Sequence, residues 1–281
     1  MKKALSILLL TLMLVSLLPF PAFAASGQAS TYDYDEMASA RKGDYVIFGS
    51  YEQDDSTKNG KEPIEWLVLD QQGKKLLLVS RYCLDCKPFY DGYSRTTWQE
   101  STLRTWMNDE FFEEAFSEDE QAAISVTTVR TKQNPDYKSQ SGKDCSDKLF
   151  VLSQSEVNSL FANRQAKIAE PTDYAVAEAV ARDTARIGWY WLRTAGKDNF
   201  YFCGVMAADG GVRGGGFQES QYGYVRPAMW VSVSDLEESS PASSAPSGIK
   251  GSTASDSLFC KYCGKSIDGD SLFCKYCGKK Q

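Results

Sequence analysis

The chain has 281 residues, a net charge of −6 and no histidine. The missing imidazole excludes Ser-His and Cys-His nucleophile pairs and every histidine-ligated metal site, so any acid–base chemistry has to come from carboxylates, Lys, Tyr or Cys. No block of like charges is present, and we expect no nucleic-acid partner. The hydrophobic content of 42% is enough for one medium-sized core.

The first 24 residues have the pattern of a secretory signal peptide. Lys2 and Lys3 precede an apolar stretch over residues 4–18, and Ala22-Phe23-Ala24 is an A-x-A cleavage site. The pattern predicts cleavage after Ala24 and a secreted or cell-surface protein. The alternative is an uncleaved N-terminal helix that anchors the chain in the membrane, but the stretch is shorter than the roughly 20 residues of a spanning helix. We expect no membrane span after cleavage.

Composition divides the rest of the chain into four parts. Residues 25–42 predict a polar lead-in, and residues 43–234, dense in apolar and aromatic positions, predict the main domain. Residues 235–257 are rich in Ser, Ala, Pro and Gly and predict a flexible linker, because they cannot bury enough surface to fold. Residues 256–281 contain DSLFCKYCGK twice without change, and we place a small module at residues 258–281.

Short apolar runs predict strands along the main domain. IEWLVLD (64–70) and KKLLLVS (74–80) flank Gln71-Gln72-Gly73 and predict a hairpin. Further strands are predicted at 44–50, 124–131, 147–153, 188–194, 199–207 and 224–233. The glycine-rich DGGVRGGG (209–216) lacks the Gly-Lys-Ser/Thr of a phosphate loop and predicts an ordinary hairpin tip.

Helical spacing of apolar residues is found over residues 96–116 and 172–186. The pairs Ser117 with Glu120 and Ser153 with Glu156 have the Ser-x-x-Glu pattern of capping boxes, which open short helices. Strands and helices do not alternate regularly. The sequence therefore predicts an α+β fold with mainly antiparallel sheet and short helices.

The main domain resembles a bacterial domain family of unknown function, found in surface or secreted proteins of Gram-positive bacteria. The motifs that carry the resemblance are EPIEWLVLD, LDCKPFY, TTWQESTLRTWMNDEFFEEAF, DKLFVLS, TDYA, YWLRTAG and VRPAMW. The ending is also similar to that of formylglycine-generating-enzyme-like domains, which implies a C-type-lectin-like fold. YWLRTAG departs from the Trp-Trp pair and Ser-Pro more common in the family, which puts a pocket beside Arg193 in doubt.

The repeated tail predicts a structural metal site. Cys260 and Cys263 form one Cys-x-x-Cys pair, and Cys274 and Cys277 form the other, with ten residues between the pairs. Four thiolates match the closed tetrahedral shell of zinc, so we expect one structural zinc per chain in a small zinc ribbon. Two disulfides in an oxidising space are the alternative, and iron in a rubredoxin-like site is a lesser one.

Four residues of the main domain are candidates for a ligand site or a structural polar cluster: Asp173, Arg193, Arg226 and Trp191. A buried arginine without a partner is costly, and Asp173 is the predicted partner of either arginine. The tryptophans could line a sugar-binding surface, but the regular spacing of most of them favours the core.

The remaining cysteines and acidic clusters give weaker indications. Cys83 and Cys86 form a third Cys-x-x-Cys, but no helix N-terminus is predicted there to lower a thiol pKa, so a structural role is favoured over a redox one. Cys145 and Cys203 are isolated. The acidic groups at residues 54–55 and 118–120 lack a calcium-loop pattern, and we expect them to be solvated.

Together these features predict an exported, non-enzymatic binding or surface protein whose ligand is a cell-surface glycan or another protein. The alternative is an enzyme of the formylglycine-generating-like fold that uses Cys203 or carboxylates. A purely structural surface protein is a third hypothesis.

Overall fold

The computed structural model describes residues 30–181 and 188–239 and, near the C-terminus, residues 258–259 and 266–267. The chain divides into two units, residues 1–240 and 241–281. The predicted signal peptide, most of the predicted linker and the four tail cysteines lie outside the described residues. No helix in the described ranges is long and apolar enough to cross a membrane.

Short helices make up the helical part of the first unit. They are α1 Tyr34–Ser39, α2 Thr102–Asn108, α3 Glu110–Ala115, α4 Glu118–Ala123, α5 Gln154–Leu160, α6 Asp173–Ala181 and α7 Val233–Ser239. Two 3₁₀ turns, Trp98–Glu100 and Gln165–Lys167, accompany them. Both predicted capping boxes are confirmed, because Ser117 and Ser153 each close the reciprocal pair with the glutamate three residues later.

The strands form two five-stranded sheets. Sheet 1 has the order β1-β2-β3-β12-β7, from β1 Tyr45–Tyr51, β2 Glu62–Gln72, β3 Lys75–Ser80, β12 Ala228–Ser232 and β7 Leu149–Phe150. Sheet 2 has the order β10-β9-β8-β11-β4, from β10 Val212–Gln218, β9 Tyr201–Met206, β8 Trp189–Ala195, β11 Tyr222–Val225 and β4 Asp85–Pro88. All pairs in these sheets are antiparallel except β11 with β8. The predicted α+β class is confirmed.

Smaller pairings complete the strand list. β5 Thr127–Val129 pairs with β6 Cys145–Asp147, and in the second unit β13 Leu258–Phe259 pairs with β14 Ser266–Ile267. The predicted strand at 124–131 is therefore shorter than expected. The predicted hairpin over 64–80 is confirmed, with Val68 opposite Leu78 and Gly73 in the turn at φ 61°.

The predicted single strand at 224–233 is in fact two strands in different sheets. Pro227 has no backbone N–H and separates β11 in sheet 2 from β12 in sheet 1. Arg226 lies at this crossing, and its Nε donates to the carbonyl of Ser80 at 2.9 Å. The chain therefore passes directly from sheet 2 to sheet 1 at Arg226 and Pro227.

The prediction of a hairpin tip at 209–216 is wrong for most of its length. Residues from Val212 onward form the edge strand β10, which pairs with β9. Gly216 has φ 80°, and a Cβ there would lie 2.5 Å from the carbonyl oxygen of Phe202. Glycine thus permits a close approach within a strand, whereas the composition alone indicates a turn.

Both predicted boundaries of the main domain move outward. Met37 of α1 is buried, and Thr31 donates from its backbone N to Glu120 Oε1 at 2.8 Å, so the lead-in packs on the domain from residue 30. Leu236 of α7 is fully buried, so the predicted linker does not begin at residue 235.

Glu120 is buried rather than solvated as predicted, since it also accepts from the backbone N of Gly49 at 3.1 Å.

The predicted helical segment at 96–116 is interrupted. The 3₁₀ turn at Trp98, α2 and α3 follow one another, and Asp109 separates the two α-helices with φ −111° and ψ −89°. The interruption turns α3 away from α2 and brings Glu110 to the start of a new helix. As a result, α2 and the start of α3 together form one side of a groove beside β4.

Candidate functional site

A groove of about 380 Å³ lies where the edge strand β4 meets α2 and α3. We call it the β4 groove. Its lining consists of Lys87, Pro88, Asp91, Thr102, Leu103, Thr105, Trp106, Glu110 and Tyr222. The strand, the helix start and the neighbouring β11 each contribute side chains, so the groove depends on the tertiary fold.

Lys87 is held in the β4 groove by a buried acid. Its Nζ lies 2.9 Å from Oδ1 of Asp85, which is fully buried, and the hydroxyl of Tyr51 donates to the other oxygen of Asp85 at 2.7 Å. The same ammonium lies 4.8 Å from the ring centre of Trp106. Burial and the charge of Asp85 raise the pKa of Tyr51 well above its usual range, so Tyr51 stays protonated and donates.

The groove combines aromatic surface with polar groups. Trp106 and Tyr222 are both partly exposed, and Trp106 packs against Phe111 with ring centres 5.3 Å apart. Asp91 and Glu110 are exposed carboxylates, and Thr102 and Thr105 add hydroxyls. Such a surface can pack against an apolar ligand face and hydrogen-bond its hydroxyl groups.

Arg193 lies elsewhere, on β8 against α5, and only 2% of it is exposed. Its Nη1 and Nη2 each donate to one oxygen of Glu156 at 2.6 Å. The remaining N–H groups donate to the carbonyls of Val151 and Arg130, so all five are satisfied. Arg193 is therefore a structural cation, and the prediction that Asp173 pairs with it is wrong.

Arg226 is also buried, and Asp173 is not its partner either. Its Nη1 donates to the carbonyl of Lys167 and to the hydroxyl of Tyr190, both at 3.2 Å. Its guanidinium lies over the rings of Phe161 and Tyr190. Backbone carbonyls and aromatic faces replace the carboxylate that we expected.

The four predicted residues do not form one cluster. Asp173 is exposed at the start of α6. Trp191 is fully buried and donates from Nε1 to the carbonyl of Lys87 at 2.9 Å, so it supports the strand that carries the groove lysine. The sequence missed Asp85 and Lys87 as site residues, although the LDCKPFY motif contains both.

The described cysteines are buried or partly buried thiols. Cys83, Cys145 and Cys203 are free thiols, and Cys86 packs in the core as predicted. Burial raises the pKa of Cys203 to about 12 and that of Cys83 to about 12. Both thiols are therefore protonated at neutral pH, which makes them poor nucleophiles.

A carboxylate cluster lies at the loop between β1 and β2. Glu52, Asp54 and Glu62 bring one oxygen each within 4.8 Å of one another. Glu52 accepts from the backbone N of Ser56, and Glu62 accepts from the backbone N of Gln53, both at 2.8 Å. These oxygens are the ligand type that calcium prefers, but three ligands fill only part of its coordination shell.

Comparison with known proteins identifies a family but no characterised relative. The family described as "Domain of unknown function (DUF6273)" matches residues 73–233, which is more than half of the chain. No curated protein and no solved structure matches. The matched range contains every residue of the β4 groove and both buried arginines, whereas the carboxylate cluster precedes it.

Proposed function

We propose that this chain, which belongs to the DUF6273 family, is an exported, non-enzymatic binding protein that takes a carbohydrate ligand in the β4 groove. Export rests on the predicted signal peptide at residues 1–24. The single observation that carries the ligand class is the groove itself, where aromatic rings stand beside carboxylates, hydroxyls and a fixed ammonium.

The chemistry of the groove matches that of a sugar ring. A pyranose has an apolar face of C–H groups and a rim of hydroxyls, so it suits Trp106 and Tyr222 as packing surfaces. The carboxylates of Asp91 and Glu110 can accept from ligand hydroxyls. A cell-surface glycan therefore fits better than an apolar peptide, which would leave these carboxylates without donors.

Lys87 supports this assignment because its position is set before a ligand arrives. The salt bridge to Asp85 and the contact with the Trp106 ring restrict an otherwise flexible side chain. A restricted donor loses less conformational entropy on binding, which improves affinity for a ligand oxygen.

The alternative enzyme hypothesis receives less support. Of its two candidate groups, Cys203 and carboxylates, the burial and raised pKa of Cys203 are unsuited to a nucleophile. The C-type-lectin-like topology stays a prediction, as does one structural zinc held by Cys260, Cys263, Cys274 and Cys277. The antiparallel pairing of β13 with β14, which flank Cys260 and Cys263 in the sequence, supports the zinc proposal.

A glycan array tests the proposal. The mature chain from residue 25 should bind a defined subset of immobilised glycans. Glu110→Gln, an exposed change, should weaken binding about tenfold by removing a charged acceptor, and Trp106→Ala should weaken it by at least as much. Tyr45→Ala is the matched control, because Tyr45 is 48% exposed on β1 and does not line the groove.

Folding of each variant is checked by thermal unfolding, since Trp106 is partly buried. Binding that is unchanged in Glu110→Gln and Trp106→Ala would place the glycan site elsewhere. An array without any bound glycan would overturn the carbohydrate assignment, and a protein ligand for the groove would then be the next hypothesis.

A further inference from the structure

A second concave site lies between β5 and α5, away from the β4 groove. We call it the β5–α5 pocket, and its volume is about 390 Å³. Its lining consists of Thr128, Arg130, Lys132, Ser153, Ser155, Glu156, Ser159 and Arg193. No residue is shared with the β4 groove, so this site does not depend on the proposed carbohydrate function.

One wall of the pocket is a row of alternate residues. Thr128, Arg130 and Lys132 follow one another at every second position along β5 and the segment that leaves it. Alternate residues of an extended chain point to the same side, so both cations enter the pocket together. Arg130 and Lys132 are exposed, and neither has a carboxylate within 4.0 Å among the described residues.

The opposite wall supplies hydroxyl groups. Ser155 and Ser159 are four residues apart on α5 and therefore lie on the same helix face. The Oγ of Ser153 lies 3.1 Å from that of Ser155, so the two hydroxyls are adjacent. The Oγ of Ser159 donates to the carbonyl of Glu156 at 3.3 Å, and each of the three hydroxyls can rotate from its present partner to donate to an oxygen of a ligand.

The floor is the ion pair of Arg193 and Glu156. Because every N–H of Arg193 already has an acceptor, the floor holds its shape and offers no further donor. The charge of Glu156 is balanced within the pair, so Arg130 and Lys132 leave the pocket with a local charge of +2. Asp144 binds the same segment through the backbone N of Thr131 at 2.8 Å but does not line the pocket.

We propose that the β5–α5 pocket binds a tetrahedral oxyanion, namely a phosphate or sulfate group on a small ligand. Two cations and adjacent hydroxyls offer charged and neutral donors to several oxygens of one anion. The net charge of the protein is −6, so this positive pocket differs from its surroundings. The local positive charge directs an anionic ligand to this surface.

Titration with inorganic phosphate tests the proposal directly, by calorimetry on the mature chain at low and constant ionic strength. Phosphate and sulfate should bind with the same stoichiometry, and acetate should not bind at equal concentration. Arg130→Gln and Lys132→Gln should each weaken phosphate binding about tenfold, and the double variant should abolish it. Both side chains are exposed, so the variants should fold normally.

Two controls make the result specific. Lys143→Gln removes an exposed lysine from the same loop outside the pocket and should bind phosphate normally. Tyr45→Ala should also bind normally, because Tyr45 is exposed on β1 and lines neither the pocket nor the β4 groove. Absence of binding at millimolar phosphate would overturn the proposal. Equal binding of acetate, or an unaffected double variant, would show general charge attraction and overturn it as well.

Discussion

Glu156 and Arg193 form a bidentate pair in which each carboxylate oxygen lies 2.6 Å from one guanidinium nitrogen. Glu156 is fixed a second time by its capping box, since its Oε2 accepts from the backbone N of Ser153 at 2.8 Å. One carboxylate therefore begins α5 and neutralises a buried cation on β8. The residue that caps α5 thus also holds this helix against β8 of sheet 2.

Loss of this carboxylate should destabilise the main domain. Glu156→Gln keeps the size of the side chain but leaves buried Arg193 without a counter-ion, so we expect a loss of about 2–3 kcal/mol in the free energy of unfolding. The value lies below that of a fully buried pair because the Glu156 side chain is 33% exposed. Urea unfolding measures it.

Glu118→Gln is the matched control for this variant. Glu118 is exposed in the first turn of α4, and its replacement should change stability by less than about 0.5 kcal/mol. Equal stabilities of the two variants would show that Arg193 does not need Glu156.

The same pair predicts a loss of stability in acid. Burial alone raises the pKa of Glu156, but the charge and hydrogen bonds of Arg193 outweigh it and hold the pKa below its ordinary value of 4.5. A carboxyl whose pKa is lower in the folded state stabilises the fold above its unfolded-state pKa, and this contribution is lost as pH falls through the folded-state value.

Unfolding of the wild type and Glu156→Gln should therefore be compared between about pH 7 and pH 3. The wild type should lose stability more steeply below the ordinary pKa of Glu156, and the difference between the two proteins should shrink with acid. A difference that is independent of pH would contradict the ionised pair as its source.

The position of α7 gives a prediction about the end of the main domain. A chain that ends at residue 240 keeps this helix and should be as stable as the mature protein's main domain. A chain that ends at residue 234 loses buried Leu236 and should be less stable by about 2–4 kcal/mol. Thermal and urea unfolding of the two chains measure the difference.

Leu236→Ala in the longer chain separates the side chain from the rest of the helix. It should reproduce most of the loss, since the methyl groups are removed from the core. Val180→Ala, at a position 57% exposed, is the control and should cost little. If ending the chain at residue 234 changed nothing, the predicted linker boundary would have been right.

Features set by local sequence were predictable, and features set by distant contacts were not. The β2–β3 hairpin and both capping boxes follow from residues close together in the chain. The partner of Arg193 could not be predicted in this way, because Glu156 is 37 positions away and Asp173 is nearer in sequence. The packing of α5 on β8 brings Glu156, and not Asp173, next to Arg193.

The candidate site was less predictable than the fold for the same reason. Lys87 and Glu110 occur in motifs that the sequence singled out, but only the contact of β4 with α2 and α3 brings them into one groove. The role of Asp85 depends on burial, since an exposed aspartate would not hold Lys87 in place. Burial of a single polar residue cannot be derived from its neighbours in sequence.

The tail predicts metal binding that is independent of the main domain. Four closely spaced cysteines in a segment too short for its own hydrophobic core need a metal or disulfides to fold. We expect about one zinc per chain by elemental analysis, and loss of zinc in the double variant Cys260→Ser with Cys274→Ser. Cys145→Ser, in the first unit, should keep the metal.

Thiol labelling distinguishes the metal from disulfides. Zinc-bound tail thiols should react slowly until a chelator is added, and then quickly. Cys83 and Cys203 should stay unreactive throughout, because burial raises the pKa of each to about 12. The unfolding midpoint of the main domain should not change with the chelator, since its core lies within residues 37–236. A tail without metal, with its cysteines oxidised in the purified protein, would replace zinc with the disulfide alternative.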